Sequence, residues 1–288
     1  MNKRIAPYYW MTVPAVVLFF VFMTLPALQG IYYSFTNYNG FGKGYDFVGF
    51  KNYFNLFQDD NVGNAYWFTF KFAIVVTILT NILSLLIALG LNAKIKFRNF
   101  FRGIYFLPNI LSVLIVGYIF NYLFSNVFPI WGQNLGINAL STNILGSESL
   151  AWIGIVIVAV WQSVALNTIL YLAGLQTIPT TLYEASNLDG AGKWREFWSI
   201  TFPLIAPFFT INMVLAMKNS LMVFDQIVAL TNGGPGRATQ SISHLIYTGG
   251  FEGGEYAYQS ANSVIYFIVI AVISILQIRF LQRRETDL

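Results

Sequence analysis

Six apolar runs of about 20 residues dominate this chain, over residues 9–31, 67–91, 103–124, 151–175, 202–227 and 261–280. At 1.5 Å rise per residue, each is long enough to cross the roughly 30 Å hydrocarbon core of a bilayer as a helix. Inside lipid a backbone must satisfy its own polar groups, so an unbroken apolar run of this length has little choice but the α-helix. Composition agrees: 56% of the residues are hydrophobic and only 10% charged, against about 25% charged in an ordinary soluble domain. The expected fold is all-α integral membrane with six transmembrane helices. No Pro/Ser-rich hinge, low-complexity tract or internal repeat divides the chain, so residues 1–288 read as one domain. The first run follows Lys3 and Arg4 as a signal peptide would, but it far exceeds a signal core of about 7–15 residues and is followed by further spans. It reads as a retained span.

The bases set the orientation. One side of the membrane would hold Lys3, Arg4, Lys94, Lys96, Arg98, Arg102, Lys193, Arg195, Arg279, Arg283 and Arg284, which is eleven; the other holds Lys43, Lys51 and Arg237, which is three. The richer side is cytoplasmic, which puts both termini there and places the linkers of about 35–66, 125–150 and 229–260 outside. The net charge of +4 is therefore topological rather than a nucleic-acid footprint, which would gather bases on one face. With no Cys and a single His, His244, thiolate chemistry and multi-imidazole metal sites are excluded. His244 itself reads as an ordinary outer-linker residue.

The cytoplasmic linker at about 178–203 predicts helix, turn, helix. Thr181 and Glu184 have the spacing of a capping box, Leu182, Ala185 and Leu188 recur at helical spacing, and Gly190 suits a C-terminal cap. Trp194, Phe197 and Trp198 then make an i, i+3, i+4 aromatic face beside Lys193 and Arg195, as in a helix lying on a membrane surface. Pro203 is placed to open the fifth span. On spacing alone, Glu184 either caps its own helix or serves a partner.

This segment resembles the EAA loop of binding-protein-dependent ABC importer permeases, whose pattern is EAA, three residues, Gly, nine residues, then Ile-x-Leu-Pro. Here Glu184, Ala185 and Ser186 are followed by Gly190 and then by Ile200, Thr201, Phe202 and Pro203; Ser186 stands for Ala and Phe202 for Leu. Asp189-Gly190-Ala191 and the stretch from Phe224 to Thr239, FDQIVALTNGGPGRAT, are similar to the sugar-importer branch of maltose and multiple-sugar type. Weaker likeness covers VGFKNY at 48–53 and FLPNILS at 106–112. The resemblance implies the fold of a type I ABC importer permease and a coupling role for Glu184, Ala185, Ser186, Asp189 and Gly190 against a cytoplasmic ATPase. It also implies the partners: a second, homologous permease, two copies of the ATPase, and an extracellular sugar-binding protein that delivers the substrate. The sugar would be an oligosaccharide. No cofactor is expected in this chain, with ATP and Mg held by the ATPase. The sequence itself agrees that ATP binds elsewhere, because Gly192-Lys193 lacks both the leading Gly and the following Ser/Thr of a P-loop.

Polar residues inside spans are costly unless they face a cavity or a neighbouring helix. In the fifth span Asn212, Asn219 and Gln226 recur every seven residues and are expected to share a face. In the fourth, Trp161, Thr168 and Tyr171 fall near one face, flanked by Gln162 and Asn167. Amides and aromatics suit a sugar's hydroxyls and ring faces; equally, amides join helix to helix. Lys71 and Lys218 are expected to snorkel to the outer surface, and Asp225 to be structural. An ion-coupled secondary carrier is the rival function, but it would place a carboxylate mid-membrane, and none of the twelve acids lies there. An enzyme lacks a nucleophile-and-base set, and a channel would leave the EAA loop without a purpose.

Overall fold

The computed structural model describes residues 6–42, 44–93 and 97–283. Lys3, Arg4, Lys43, Lys94, Lys96 and Arg284 of the charge count lie outside the described residues. Twelve helical segments, among the described residues, carry the fold: α1 Met11–Tyr33, α2 Lys51–Leu56, α3 Asp60–Asn92, α4 Arg98–Ile110, α5 Val113–Leu135, α6 Ala151–Thr177, α7 Thr180–Leu188, α8 Lys193–Leu204, α9 Ala206–Leu221, α10 Asp225–Leu230, α11 Ile242–Tyr247 and α12 Tyr256–Gln282. Of these, α1, α3, α5, α6 and α12 are each long and apolar enough to cross a membrane, and α8 with α9 forms a sixth, bent crossing. The chain groups into two compact units, residues 1–63 with 245–269 and residues 64–244 with 270–288.

In the first unit, α1 is apolar all round and exposes Val16, Leu18, Phe19 and Phe22, as a lipid- or subunit-facing span does. Its one irregularity is a π turn at Phe20–Thr24, where the Leu25 N–H donates to the Phe20 carbonyl. That turn sits just before Pro26, which has no N–H of its own to give to the preceding turn. Beyond α1 the linker folds back on itself through an antiparallel bridge between Thr36 and Phe47. The rings of Tyr33, Tyr38, Tyr45 and Tyr256 pack together with centroids 4.7–5.8 Å apart. Asn52 ties the arrangement down, its Nδ2 donating to the Ser34 carbonyl at 2.9 Å and the Thr36 carbonyl at 2.8 Å.

In the second unit α6 is the central helix, the most buried of the spans. Phe72 and Val76 of α3, Val116 of α5, and Ile227 and Leu230 of α10 close around Ile155, Val158 and Ala159 of α6. Close approach needs a missing side chain at Gly117, where a Cβ would lie 2.5 Å from that of Ala229. A second apolar cluster, Leu91, Tyr171, Leu172, Leu175, Ile178 and Ile205 with Tyr183 packed on it, gathers where α6 gives way to α7.

Two spans differ from expectation. The third was expected over 103–124, but α4 ends at Ile110, Leu111 and Ser112 are extended (ψ 141° and 133°), and the crossing helix is Val113–Leu135. Hydropathy runs through this break because the residues on both sides are apolar. The fifth was expected over 202–227, yet α8 and α9 meet at Ile205 with a 70° bend, and α9 stops at Leu221. Pro203 and Pro207 explain the bend: neither can donate to the carbonyl four residues before it, so two rungs are missing on either side of Ile205. Each proline sits in a first helical turn, Pro203 in the short stretch Phe202–Leu204 that closes α8 and Pro207 at the start of α9.

Candidate functional site

The break at Leu111, the middle of α6 and the end of α9 surround a polar cleft of about 380 Å³ in the second unit. Gln162, Ser163 and Asn167 line it from α6, Lys218 and Asn219 from α9, Asp225 and Gln226 from α10, and Asn109 from α4. Because Leu111 is out of the helix, its carbonyl is free of the α4 ladder and accepts from Gln162 Nε2 at 3.2 Å. Asn167 donates back to the Ser163 carbonyl at 2.8 Å. Each amide nitrogen makes one bond, while its oxygen, Gln162 Oε1 or Asn167 Oδ1, is buried with no protein partner among the described residues. A buried, unpaired carbonyl oxygen is expensive, and two of them belong to residues that line this cleft.

Four of the eight expected path residues, Gln162, Asn167, Asn219 and Gln226, are thus brought to one place. The route differs from expectation, because Gln226 is not on the helix of Asn212 and Asn219. The chain breaks at Met222–Phe224 and Gln226 returns on α10, whose carbonyl end is held by Asn121 Nδ2 donating to the Leu230 oxygen at 2.6 Å. The other four lie away from the cleft. Tyr171 is fully buried and donates to Asn81 Oδ1 at 2.7 Å. Asn212 is fully buried and bonds to the Phe208 carbonyl. Thr168 is buried within the bundle, and Trp161 packs on Phe120 and faces an apolar groove with Leu79, Ile104 and Val160. Asn109 and Ser163 were missed by the sequence reading; Asn109 lies in the FLPNILS stretch, which was the available signal. Lys71 holds its Nζ 3.7 Å from the centre of the Trp152 ring, at the first turn of α6.

The linker helix α7 takes the expected place but not by the expected cap. Pro179 is extended (ψ 132°) and occupies the N-cap position with no side-chain bond, which leaves Thr181 inside the first turn. No Thr181–Glu184 capping box forms, so Glu184 is not spent on its own helix terminus and stands exposed. At the other end the chain closes as a Schellman turn: Gly190 has φ +72°, its N–H bonds to the Asn187 carbonyl at 3.1 Å, and the Ala191 N–H bonds to Ser186 at 3.0 Å. Glu184, Ala185, Leu188, Asp189 and Gly190 face outward, while Ser186 is buried. Tyr183 points inward, its hydroxyl 3.1 Å from Thr201 Oγ1. The aromatic face expected on α8 forms, with Trp194, Phe197 and Trp198 in mutual ring contact.

Residues 80–286 match the family described as binding-protein-dependent transport system inner membrane component. The chain belongs to this family. It is 38% identical, over 98% of its length and 96% of the relative's, to the probable starch degradation products transport system permease protein AmyD of Thermoanaerobacterium thermosulfurigenes. It is 39% identical, over 98% and 99%, to the multiple sugar-binding transport system permease protein MsmF of Streptococcus mutans. A chain of a bacterial ABC transporter that imports the acidic polysaccharide alginate shares the fold, with a TM-score of 0.86 at 24% identity, covering 98% of this chain and 96% of that one. The chain is accordingly a multi-pass membrane protein with the fold of an ABC importer permease.

Proposed function

We propose that this permease subunit forms, with a second homologous permease, the membrane pathway of an ATP-driven importer for a sugar, in particular an oligosaccharide. The names of the relatives at 38% and 39% identity, transport systems for starch degradation products and multiple sugars, support the substrate class. The observation that carries the mechanism is α7: a helix with an unspent glutamate on its exposed side and an apolar root in the bundle. Glu184 bonds to a cytoplasmic ATPase, two copies of which bind ATP and Mg; Ala185 and Ser186 permit close approach, and Asp189-Gly190 makes the turn. This chain holds no nucleotide and catalyses no reaction. Displacement of α7 reaches the spans through Tyr183, Ile178 and Ile205, which pack in one cluster with Tyr171 and Leu172 of α6. A modest contact suffices because the permease need only be biased between two packings, inward-open and outward-open.

On the other side of the membrane an extracellular binding protein delivers the sugar. The positive-inside count supports cytoplasmic termini, and the inner-membrane family and its bacterial members support a prokaryotic plasma membrane setting. The sugar passes the cleft, where its hydroxyls donate to Gln162 Oε1 and Asn167 Oδ1 and exchange bonds with Asn219 and Gln226. Membership of a binding-protein-dependent family gives no support to an ion-coupled carrier. The test of coupling is Glu184→Ala. The residue makes no cap bond, so the chain is expected to fold and pair with its partner permease as before, while ATPase recovery on purification and sugar uptake both fall at least about tenfold, the loss expected for a charge-assisted bond of about 1.5–3 kcal/mol. Full uptake with normal ATPase recovery refutes the role.

A further inference from the structure

The short helix α2 carries a largely exposed apolar face, on which, among the described residues, only the Phe50 ring meets another segment, at Phe35. Phe50, Phe54 and Phe57 recur at i, i+4 and i+7 and are 63%, 70% and 80% exposed. At 3.6 residues per turn they fall within about 60° of one another. The helix is properly formed there, with the Phe54 N–H bonded to the Phe50 carbonyl at 3.1 Å. Its other face is committed: Leu56 is buried, Asn52 holds the Ser34 and Thr36 carbonyls, and the Tyr53 hydroxyl lies 2.7 Å from that of Ser34. Lys51, Asn55 and Gln58 flank the phenylalanine stripe and line a polar cleft. An apolar stripe flanked by a base and amides, on a helix already anchored from behind, is the pattern of a helix lying in an interface.

The chain fixes the height of that stripe. Ser34 directly follows α1, so the bonds from Asn52 and Tyr53 clamp α2 to the end of the first span. Only three residues, Phe57, Gln58 and Asp59, separate α2 from α3, the second span. Four Cα steps reach at most about 14 Å. The helix is thus held at the end of the first span, in the same unit as the tyrosine cluster of Tyr32, Tyr33, Tyr38 and Tyr45, which has the composition of an interfacial aromatic belt. We propose that α2 is a lipid-interface anchor, whose Phe50, Phe54 and Phe57 rings insert into the outer boundary of the bilayer with Lys51 and the amides at headgroup level. An uninterrupted apolar stripe beside the end of the first span, with its base and amides on one flank, fits acyl chains below and headgroups above.

The chain has no cysteine, so single-site spin labels can be placed directly. The transporter complex carrying Phe54→Cys, Phe57→Cys or Asn55→Cys is reconstituted in phosphatidylcholine/phosphatidylglycerol vesicles, the unsubstituted complex supplying any partner background. Collision of the label with oxygen, which concentrates in lipid, is compared with collision with a water-soluble nickel chelate. The oxygen-to-nickel ratio is expected to be higher at 54 and 57 than at 55. Nickel access at 54 and 57 equal to that at 55 would overturn the proposal in favour of a solvated face. Exclusion of both reagents would overturn it in favour of a covering protein.

Discussion

Asn167→Leu separates a substrate-path residue from a packing residue, because the two roles move different observables. The side chains are nearly the same shape, and Asn167 is buried (6% exposed). Its Nδ2 makes one local bond, to the Ser163 carbonyl, whose loss costs about 0.5–1.5 kcal/mol. Its Oδ1 has no protein partner, and removing a buried unpaired acceptor returns about 1–3 kcal/mol. The thermal midpoint of the variant complex in detergent should therefore be unchanged or slightly higher. If a sugar hydroxyl donates to Oδ1, its loss removes about 0.5–1.5 kcal/mol of binding, and at about 1.4 kcal/mol per tenfold the half-saturating concentration of sugar-loaded binding protein should rise about 2- to 12-fold. The assay is sugar uptake into proteoliposomes over a range of loaded binding protein, beside a thermal melt of the same preparation. A drop in the midpoint with an unchanged dose response would refute the reasoning and return Asn167 to packing.

Asn219→Ala, at the same cleft, should raise the sugar requirement for transport without loss of assembly, read by the same uptake titration; an unchanged curve counts against a role in the path. Lys71→Met should lower the thermal midpoint by the equivalent of about 0.5–2 kcal/mol, since it removes the cation from over the Trp152 ring while keeping the aliphatic stem; an unaltered melt would mean the pair contributes nothing. Partial burial pushes the Asp59 carboxyl up, but bonds from the Tyr258 hydroxyl at 2.8 Å and from the amides of Asn61 and Val62 outweigh it and hold the group below its ordinary value. Its contribution to stability is therefore present above the unfolded value of about 3.9 and lost as pH falls through the lower folded value. Tyr258→Phe should move that acid loss to higher pH, measured as thermal midpoint against pH below about 5; superimposable profiles would exclude the bond as the cause.

Much of the fold is legible in the sequence because lipid leaves so few solutions. Helices α1, α3, α6 and α12 take in nearly all of the first, second, fourth and sixth apolar runs, α6 starting at Ala151 as expected and α3 starting well ahead of its run, at Asp60. The two that differ are broken by causes that hydropathy does not register. Leu111 leaves the helix at a point where Gln162, fifty-one residues away, takes its carbonyl. Ile205 bends between two prolines four apart, each of which is individually compatible with a helix start. The cleft follows from these breaks: without the interruption at Met222–Phe224, Gln226 would sit two turns beyond Asn219 and not across from Gln162. Within the linker, Gly190 was readable because only a left-handed residue closes that turn. The capping box was not, because Thr-x-x-Glu spacing is blind to Pro179 having taken the cap position two residues ahead of Thr181.

Energy for transport enters this permease from another subunit, through α7. Affinity purification of the tagged chain in mild detergent, followed by mass spectrometry and an ATP hydrolysis assay on the eluate, tests this most directly. The prediction is recovery of a second permease and an ATPase, with hydrolysis stimulated by sugar-loaded binding protein. Recovery of the chain alone, folded and taking up solute under a proton gradient without ATP, would contradict it.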